Sequence, residues 1–298
     1  MANVLYGAGR LAFQQDDYAS ARSLHEQSLA LRQEIGDEQG VGYSLQGLAA
    51  VVQAQGERDL ARSLYEQALA KRRELNDLPG IGASLLALGS LAYLNGDNAS
   101  ARSSFEQALN IGREVGNKWG IIWTLYWLGV MAHTQEEYVR AHSLLEEALE
   151  LAEDVGHKGL IAQTLGDLGG VASSQGNYDQ ARSLYRRSLV LRRENGDRYG
   201  IAVCLAGLGE LALAAGAGLE HSGPANEEKF QMAAKLLGAT EALMKEIGSS
   251  LVGNNGRAYR RGVSAAREML GEEAFAKMWA EGRTMSLENV ITMAESMI

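Results

Sequence analysis

The sequence predicts an all-α fold, a right-handed α-solenoid of about six helical hairpins with a C-terminal helical cap. Three observations support this fold class. The phrase DLARSLYEQALAKRRELND recurs in similar form every forty residues along the 298-residue chain. Alanine, leucine, glutamate and arginine dominate the phrase, and these residues favour helix. The apolar positions recur at helical spacing, and glycine-containing turns separate the apolar segments.

The second helix of each repeat has an apolar face built on three columns forty residues apart. The first column is alanine, the second is large and the third is leucine. The alanines are Ala21, Ala61, Ala101, Ala141 and Ala181. The large residues are Tyr65, Phe105, Leu145 and Tyr185, with His25 as the exception. Because the columns are four residues apart, the three side chains of each repeat share one helix face, which we expect to be buried.

The first helix of each repeat has its own leucine columns, which begin at Leu45 and Leu48 in the second repeat. A glycine follows the later column in four repeats, for example Gly89 after Leu88. The missing side chain lets a neighbouring helix approach closely. One hairpin cannot bury these faces alone, so the period predicts stacked copies.

The repeats are predicted to occupy residues 1–215. Residues 216–228, GAGLEHSGPANEE, interrupt the sixth repeat and are predicted to be a flexible loop. Residues 229–298 are predicted to hold the last repeat helix and a helical cap. The expected contact residues of this cap are Met278, Trp279, Met285 and Met293.

The small-large-small spacing of the second helix resembles the tetratricopeptide repeat. In the third repeat the pattern consists of Leu88, Gly89, Gly96, Ala101, Phe105 and Ala108. The usual repeat has about 34 residues, and the forty-residue form is similar to that of MalT-type bacterial regulators and kinesin light chains. The usual proline after the second helix is missing, as is a tyrosine in the first helix.

The tail resembles the C-terminal end of large bacterial signalling ATPases and transcriptional regulators. The matching stretches are Leu236–Leu243 and Leu270–Glu288. This resemblance implies that the chain is the sensor or partner-binding arm of a larger protein. A short native protein that starts at residue 1 is the alternative.

Composition argues against several classes of function. With a net charge of −9 and a pI near 5.2, the chain repels phosphate backbones, so we expect no nucleic-acid partner. No long uncharged apolar run or signal peptide is visible, which predicts no membrane partner and a cytoplasmic location. The single cysteine, Cys204, is expected to be a core residue. The arginines Arg186, Arg187, Arg192 and Arg193 are interpreted as a solvated helix face.

The sequence contains no recognisable catalytic motif. Phosphate-binding G-x-x-x-x-G-K-[ST], zinc-binding H-E-x-x-H and the G-x-S-x-G nucleophile elbow are all missing. His142 and Glu146 lie four residues apart on one helix, where a surface hydrogen bond is the better interpretation than a metal site. We therefore predict that the chain is not an enzyme and has no cofactor or metal.

The resemblance to tetratricopeptide repeats implies that the first helix of each hairpin lines a concave groove. Carried onto this sequence, the family's inward positions give the predicted partner-binding residues Tyr6, Arg10, Phe13, Tyr43, Gln46, Gln53, Tyr93, Trp123, Tyr126 and His133. In the sixth repeat the same positions are Val203, Ala206, Glu210 and Leu213. Large amphipathic side chains on such a wall suit peptide or protein recognition. Packing between hairpins is the alternative for Trp123 and Trp127.

Three functions follow from this interpretation. The first is a non-catalytic interaction module that recognises a peptide or a partner domain in the groove. The second is a small-molecule sensing arm that reports to an NTP-hydrolysing domain. The third is a self-assembling scaffold, a possible homo-oligomer, because Val4, Leu5, Leu11 and Phe13 leave an apolar N-terminal face uncovered.

Overall fold

The computed structural model describes residues 1–217 and 224–296, and within these ranges the chain forms fifteen α-helices and no strand. The predicted all-α repeat fold is confirmed. The helices are α1 Ala2–Gln14, α2 Tyr18–Glu34, α3 Glu38–Ala54, α4 Arg58–Glu74, α5 Leu78–Leu94, α6 Asn98–Val115, α7 Lys118–Thr134, α8 Tyr138–Asp154, α9 Lys158–Ser174, α10 Tyr178–Glu194, α11 Arg198–Ala217, α12 Pro224–Glu246, α13 Gly253–Leu270, α14 Glu272–Thr284 and α15 Leu287–Glu295.

The forty-residue period appears directly in the helix boundaries, because α2, α4, α6, α8 and α10 begin at intervals of forty residues. By their contacts the helices form two compact units, Met1–Met131 and Ala132–Ile298. We refer to these as the N-terminal unit and the C-terminal unit. Part of the predicted loop 216–228 belongs to a helix, since α12 begins at Pro224. The rest of that loop includes residues 218–223, which lie outside the described residues.

Short turns that contain helix-capping residues connect each hairpin to the next. Asp37 is the N-cap of α3, and its Oδ1 accepts a hydrogen bond of 2.9 Å from the Gly40 amide. Asp77 does the same for α5 through the Gly80 amide, at 3.0 Å. Gly116 ends α6 in the left-handed conformation, with φ of 68°, which glycine adopts without steric cost. A new helix therefore starts within a few residues of each helix end.

The core of the N-terminal unit is built from the repeated columns. Ala21, Ala61 and Ala101 are fully buried, and so is Phe105. Tyr65 lies in one buried cluster with Val41 and Leu45 of α3, a helix that precedes it in the chain. The alanines and large residues of the second helices are thus buried as predicted, and they pack against leucines of the first helices.

The C-terminal unit adds tail helices to its repeat hairpins. Phe275 and Met278 of α14 are buried in one cluster with Leu213 of α11 and Leu237 of α12. The other three predicted cap residues are partly buried against core clusters, and they are Trp279, Met285 and Met293. The tail helices therefore cover α11 and α12.

Two glycines let α12 and α14 approach at backbone distance. A Cβ on Gly282 would lie 2.0 Å from the carbonyl oxygen of Lys235, and a Cβ on Gly238 would lie 2.4 Å from that of Trp279. Real side chains never come so close to a backbone oxygen, so any larger residue must push the helices apart. The tail is positioned by this close crossing as well as by apolar burial.

Helix α11 contains an eighteen-residue stretch, Arg198–Ala215, that is long and apolar enough to cross a membrane. The stretch includes the charged residues Arg198 and Glu210, so it is not an uncharged apolar run. The residues of the stretch are 72% buried, and several of them, such as Leu205 and Leu208, lie in the largest core cluster of the C-terminal unit. Burial of this kind is typical of a core helix.

Candidate functional site

In the N-terminal unit, the first helices α1, α3 and α5 line a cleft of about 530 Å³, which we call the aromatic cleft. Two second-helix side chains, His25 and Arg72, complete its wall. The lining residues are Tyr6, Arg10, Phe13, Gln14, His25, Tyr43, Gln46, Gly47, Ala50, Arg72, Pro79, Gly80 and Ala83. Five predicted partner-binding residues therefore lie together, and these are Tyr6, Arg10, Phe13, Tyr43 and Gln46.

Three aromatic side chains give the cleft its apolar surface. The Tyr6 and Tyr43 ring centroids are 6.3 Å apart, and Phe13 lies 5.6 Å from Tyr18. Tyr43 is 41% exposed, whereas Tyr6 and Phe13 are half-buried. Exposed tyrosine offers a rigid apolar face together with a hydroxyl that can hydrogen-bond, a combination suited to recognition.

Two buried arginines lie behind the tyrosines. The Arg32 guanidinium carbon is 5.1 Å from the Tyr6 ring centroid, and that of Arg72 is 5.3 Å from the Tyr43 centroid. At these distances a guanidinium is attracted to the face of an aromatic ring. Each arginine thereby contacts and supports one tyrosine of the cleft.

Hydrogen bonds fix the two arginines. Nη1 of Arg32 donates to the Gly40 carbonyl at 2.7 Å and to Ser44 Oγ at 2.9 Å. Nη1 of Arg72 makes the equivalent bonds one repeat later, to the Gly80 carbonyl at 2.9 Å and to Ser84 Oγ at 2.7 Å. Burial lowers the pKa of Arg72 from its usual value.

Sequence reasoning missed this arginine–serine pair, although the chain contains a signal for it. Arg32, Arg72 and Arg192 are forty-residue equivalents, and so are Ser44 and Ser84. The interpretation of Arg192 as part of a solvated face was wrong, because its side chain is only 6% exposed. Arg192 Nη1 lies 2.8 Å from Asp197 Oδ2. A buried charge needs partners, and here the turn aspartate supplies one.

His25 occupies the column that is aromatic or leucine in the other repeats. Its imidazole fits between Gly9 of α1 and Gly47 of α3, where an added Cβ would lie 3.0 Å and 2.6 Å from the ring carbon Cε1. The residue is 1% exposed, and its Nδ1 has no hydrogen-bond partner. Burial lowers the pKa of His25, and the positive charges of Arg32 and Arg10 lower it further. Both effects favour the neutral imidazole.

Three other predicted residues form a second aromatic cluster in the same unit. Trp123 and Tyr126 meet edge to face at 5.9 Å, and Tyr93 lies 5.8 Å from Trp127. The Trp127 ring also stacks on Phe105 at 6.3 Å. Tyr126 is only 7% exposed, so most of its area is used in packing. Gln53, also predicted for the groove, accepts a hydrogen bond of 3.1 Å from the Tyr65 hydroxyl.

His133 lies in the C-terminal unit, in a polar cleft of about 360 Å³. His133 Nε2 is 3.0 Å from Ser174 Oγ, and the ring meets Tyr138 edge to face. Burial, with Arg257 and Arg261, lowers the pKa of His133 to about 4. Glu136 also lines the cleft, with φ of 63° at a turn position where three other repeats have glycine, namely Gly56, Gly96 and Gly176.

Helix α13 covers part of the wall that the sequence places in the groove. Arg261 of α13 donates to Glu210 of α11 at 2.7 Å. Val203, Ala206 and Leu213 are all buried. The expectation that these sixth-repeat positions face an open groove was wrong, because the tail and α12 pack over α11.

The described residues offer little that resembles a catalytic constellation. Within them, no group of three or more His, Cys, Asp or Glu side chains is arranged to hold a metal ion. Cys204 is fully buried beside Ser188, and burial raises the pKa of its thiol, which makes a thiolate nucleophile unfavourable. His142 and Glu146 form the expected surface pair, at 3.3 Å.

Comparison with solved structures identifies proteins with a similar fold. The apo form of RapI matches with a TM-score of 0.61 at 18% identity, over 90% of this chain and 98% of that one. BtubC from P. vanneervenii matches with 0.62 at 20% identity, over 79% and 94%. A Rap protein complexed with competence and sporulation factor matches with 0.64 at 16% identity, over 94% and 76%. At these identities the likeness shows the fold alone.

Comparison of sequences gives the family. No curated protein matches the chain. The family model for the tetratricopeptide repeat matches residues 1–74, 80–154 and 160–217, which together cover more than half of the sequence. These ranges contain helices α1 to α11, except for the first two residues of α5 and of α9. The chain belongs to the tetratricopeptide repeat family.

Proposed function

We propose that this chain is a non-catalytic, cytoplasmic interaction module that recognises a peptide segment or a partner domain on the surfaces lined by its first helices. The observation that carries the proposal is the aromatic cleft. It brings Tyr6, Tyr43, Arg10, Phe13 and Gln46 together from two neighbouring first helices. The other predicted residues, Gln53, Tyr93, Trp123, Tyr126 and His133, contribute to the same function in this proposal.

The chemistry of the cleft suits an extended peptide. Tyrosine rings bury large apolar area at a low cost in side-chain entropy, because only two torsions are fixed. Gln14 and Gln46 each offer an amide that can donate and accept hydrogen bonds, as a peptide backbone requires. One structure of similar fold is a Rap protein complexed with competence and sporulation factor, and another is the pLS20 Rap regulator in complex with the Phr* peptide.

The polar cleft around His133 favours a second candidate function. Its lining combines Arg257 and Arg261 with Glu136 and Glu210, a mixture that suits a small polar molecule. A chain that uses this cleft acts as the ligand-sensing arm of a larger regulator, as the resemblance of its tail to bacterial signalling ATPases implies. Such a function predicts thermal stabilisation by a metabolite set and little by peptides.

The proposed function is tested by selecting peptides from a displayed random library on the wild-type chain. We expect enriched sequences, and we expect Tyr43→Ala to weaken their binding at least about tenfold, because a central aromatic contact often contributes more than 2 kcal/mol. Tyr43 is exposed, so the variant keeps its fold, which circular dichroism verifies.

The matched control is Glu66→Ala, since Glu66 is exposed on α4 and does not line the cleft. This variant should bind the enriched peptides as the wild type does. Failure to enrich any peptide, or equal binding by Tyr43→Ala, would contradict the proposal.

A further inference from the structure

The aromatic cleft differs in charge from the chain as a whole. The full sequence has 37 acidic against 28 basic residues. Among the thirteen residues that line the cleft, two are arginines and none is aspartate or glutamate. Arg10 is exposed in the cleft wall, while Arg72 is buried with its guanidinium over Tyr43. The lining of this cleft therefore contains positive charge and no carboxylate, although the chain as a whole is acidic.

The arginines behind the tyrosines add to the positive potential of the cleft. Arg72 donates hydrogen bonds to the uncharged oxygens of Gly80 and Ser84, and its charge also interacts with Asp77, which lies outside the cleft lining. Arg32 has Asp37 at 3.6 Å, but Asp37 lies outside the cleft lining. Charges in a partly dry site act over longer range than charges in water. Burial is the main cause that lowers the pKa of His25, and the positive charges of Arg32 and Arg10 lower it further.

The apolar side chains of the cleft lie next to its exposed arginine, Arg10. Phe13 is one turn from Arg10 on α1, and Tyr6 lies one turn before it. Ala50 of α3 and Ala83 of α5 contribute only short side chains to the lining. A complementary ligand therefore carries a negative group and an apolar group on neighbouring side chains.

We infer that the aromatic cleft binds an acidic peptide segment, with an aspartate or glutamate side chain at Arg10 and a neighbouring apolar side chain between Tyr6, Phe13 and Tyr43. This inference rests on the proposed function and specifies its ligand class. Nucleic acid also carries negative charge, but the net charge of −9 opposes a long phosphate backbone, whereas a short peptide meets only the local potential.

The experiment uses the full chain and the peptides enriched by selection on it. We expect the enriched sequences to contain Asp or Glu beside an apolar residue. Synthetic versions with Gln or Asn in place of the acids should bind about tenfold more weakly at 0.15 M salt, and the affinity of the acidic versions should fall as salt rises.

Reversing the charge at position 10 and on the peptide tests whether Arg10 contacts the acidic side chain. Arg10→Glu should weaken the acidic peptides more than tenfold, and a peptide with Lys in place of its acid should regain affinity for this variant. The matched control is Arg58→Glu, which makes the same change of net charge at an exposed position on α4 outside the cleft. This control should change the affinity less than twofold.

The outcomes separate the inference from the proposed function. Suppose that Tyr43→Ala abolishes binding, while Gln-substituted peptides bind as well as acidic ones or Arg10→Glu has no effect. The cleft then binds peptides regardless of their charge, and the inference is overturned. If Tyr43→Ala leaves binding unchanged, the proposed function fails, and the inference fails with it.

Discussion

Gly282→Ala is expected to destabilise the C-terminal unit by about 3 kcal/mol, at the upper end of the usual cost of overpacking. The added Cβ would lie 2.0 Å from the carbonyl oxygen of Lys235, which belongs to the backbone of α12 and cannot rotate away as a side chain can. Helices α12 and α14 must separate, and the buried cluster that holds Phe275 and Met278 must then loosen. Chemical denaturation measures the loss, and hydrogen exchange in α12 and α14 locates it.

The control for this prediction is Gly7→Ala. Gly7 is exposed in the middle of α1, and an added Cβ there meets nothing within 4 Å. Alanine is a better helix former than glycine by about 1 kcal/mol, so this variant should be as stable as the wild type or slightly more stable. A Gly282→Ala protein that unfolds at the wild-type denaturant concentration would show that the two helices are not in backbone contact.

Phe105→Ala is expected to destabilise the N-terminal unit by about 3–5 kcal/mol, the usual range for removing a buried aromatic side chain. Phe105 is fully buried, and its ring stacks on Trp127 at an interplanar angle of 9°. Gly89 lies against the same ring and has no side chain of its own with which to fill the cavity. The free energy of unfolding, followed by tryptophan fluorescence and circular dichroism, measures the change.

The repeat itself supplies the control, which is Phe105→Leu. Leucine occupies the equivalent column at Leu145, where it is fully buried. Because leucine is apolar and closer in volume to phenylalanine than alanine is, Phe105→Leu should lower the free energy of unfolding by about 1.5 kcal/mol or less. If the leucine and alanine variants are equally destabilised, the columns are not structurally equivalent, and the forty-residue alignment of the repeats is incorrect.

The helices could be predicted from the sequence because the same physical constraint recurs at a fixed interval. A column of alanines with a large residue four positions later has one good packing solution, and each copy supports the assignment of the others. Ala101 and Phe105 are buried as this argument requires. The chain has only one tail, by contrast, and no period revealed the close crossing at Gly238 and Gly282.

Half of the predicted groove residues meet in the aromatic cleft, because their spacing on α1 and α3 follows from the repeat. The predictions were weaker where several hairpins contribute to one place. Tyr126 is buried by neighbours that only the tertiary structure shows, and Leu213 is covered by the tail. Arg192 was expected to be solvated and Arg72 was not singled out, since a buried arginine is rare and its serine or aspartate partner lies on another element.

The most direct test of the central claim, that the first helices bind a peptide, is photo-crosslinking from a single site. Gln46 of the aromatic cleft is replaced by p-benzoylphenylalanine, and an exposed second-helix residue, Glu66, is replaced in a parallel protein. Each protein is irradiated with a peptide selected on the wild type, and mass spectrometry identifies the adducts. We predict an adduct from position 46 and none from position 66. Adducts from position 66 alone would place the ligand on the opposite helices and contradict the account.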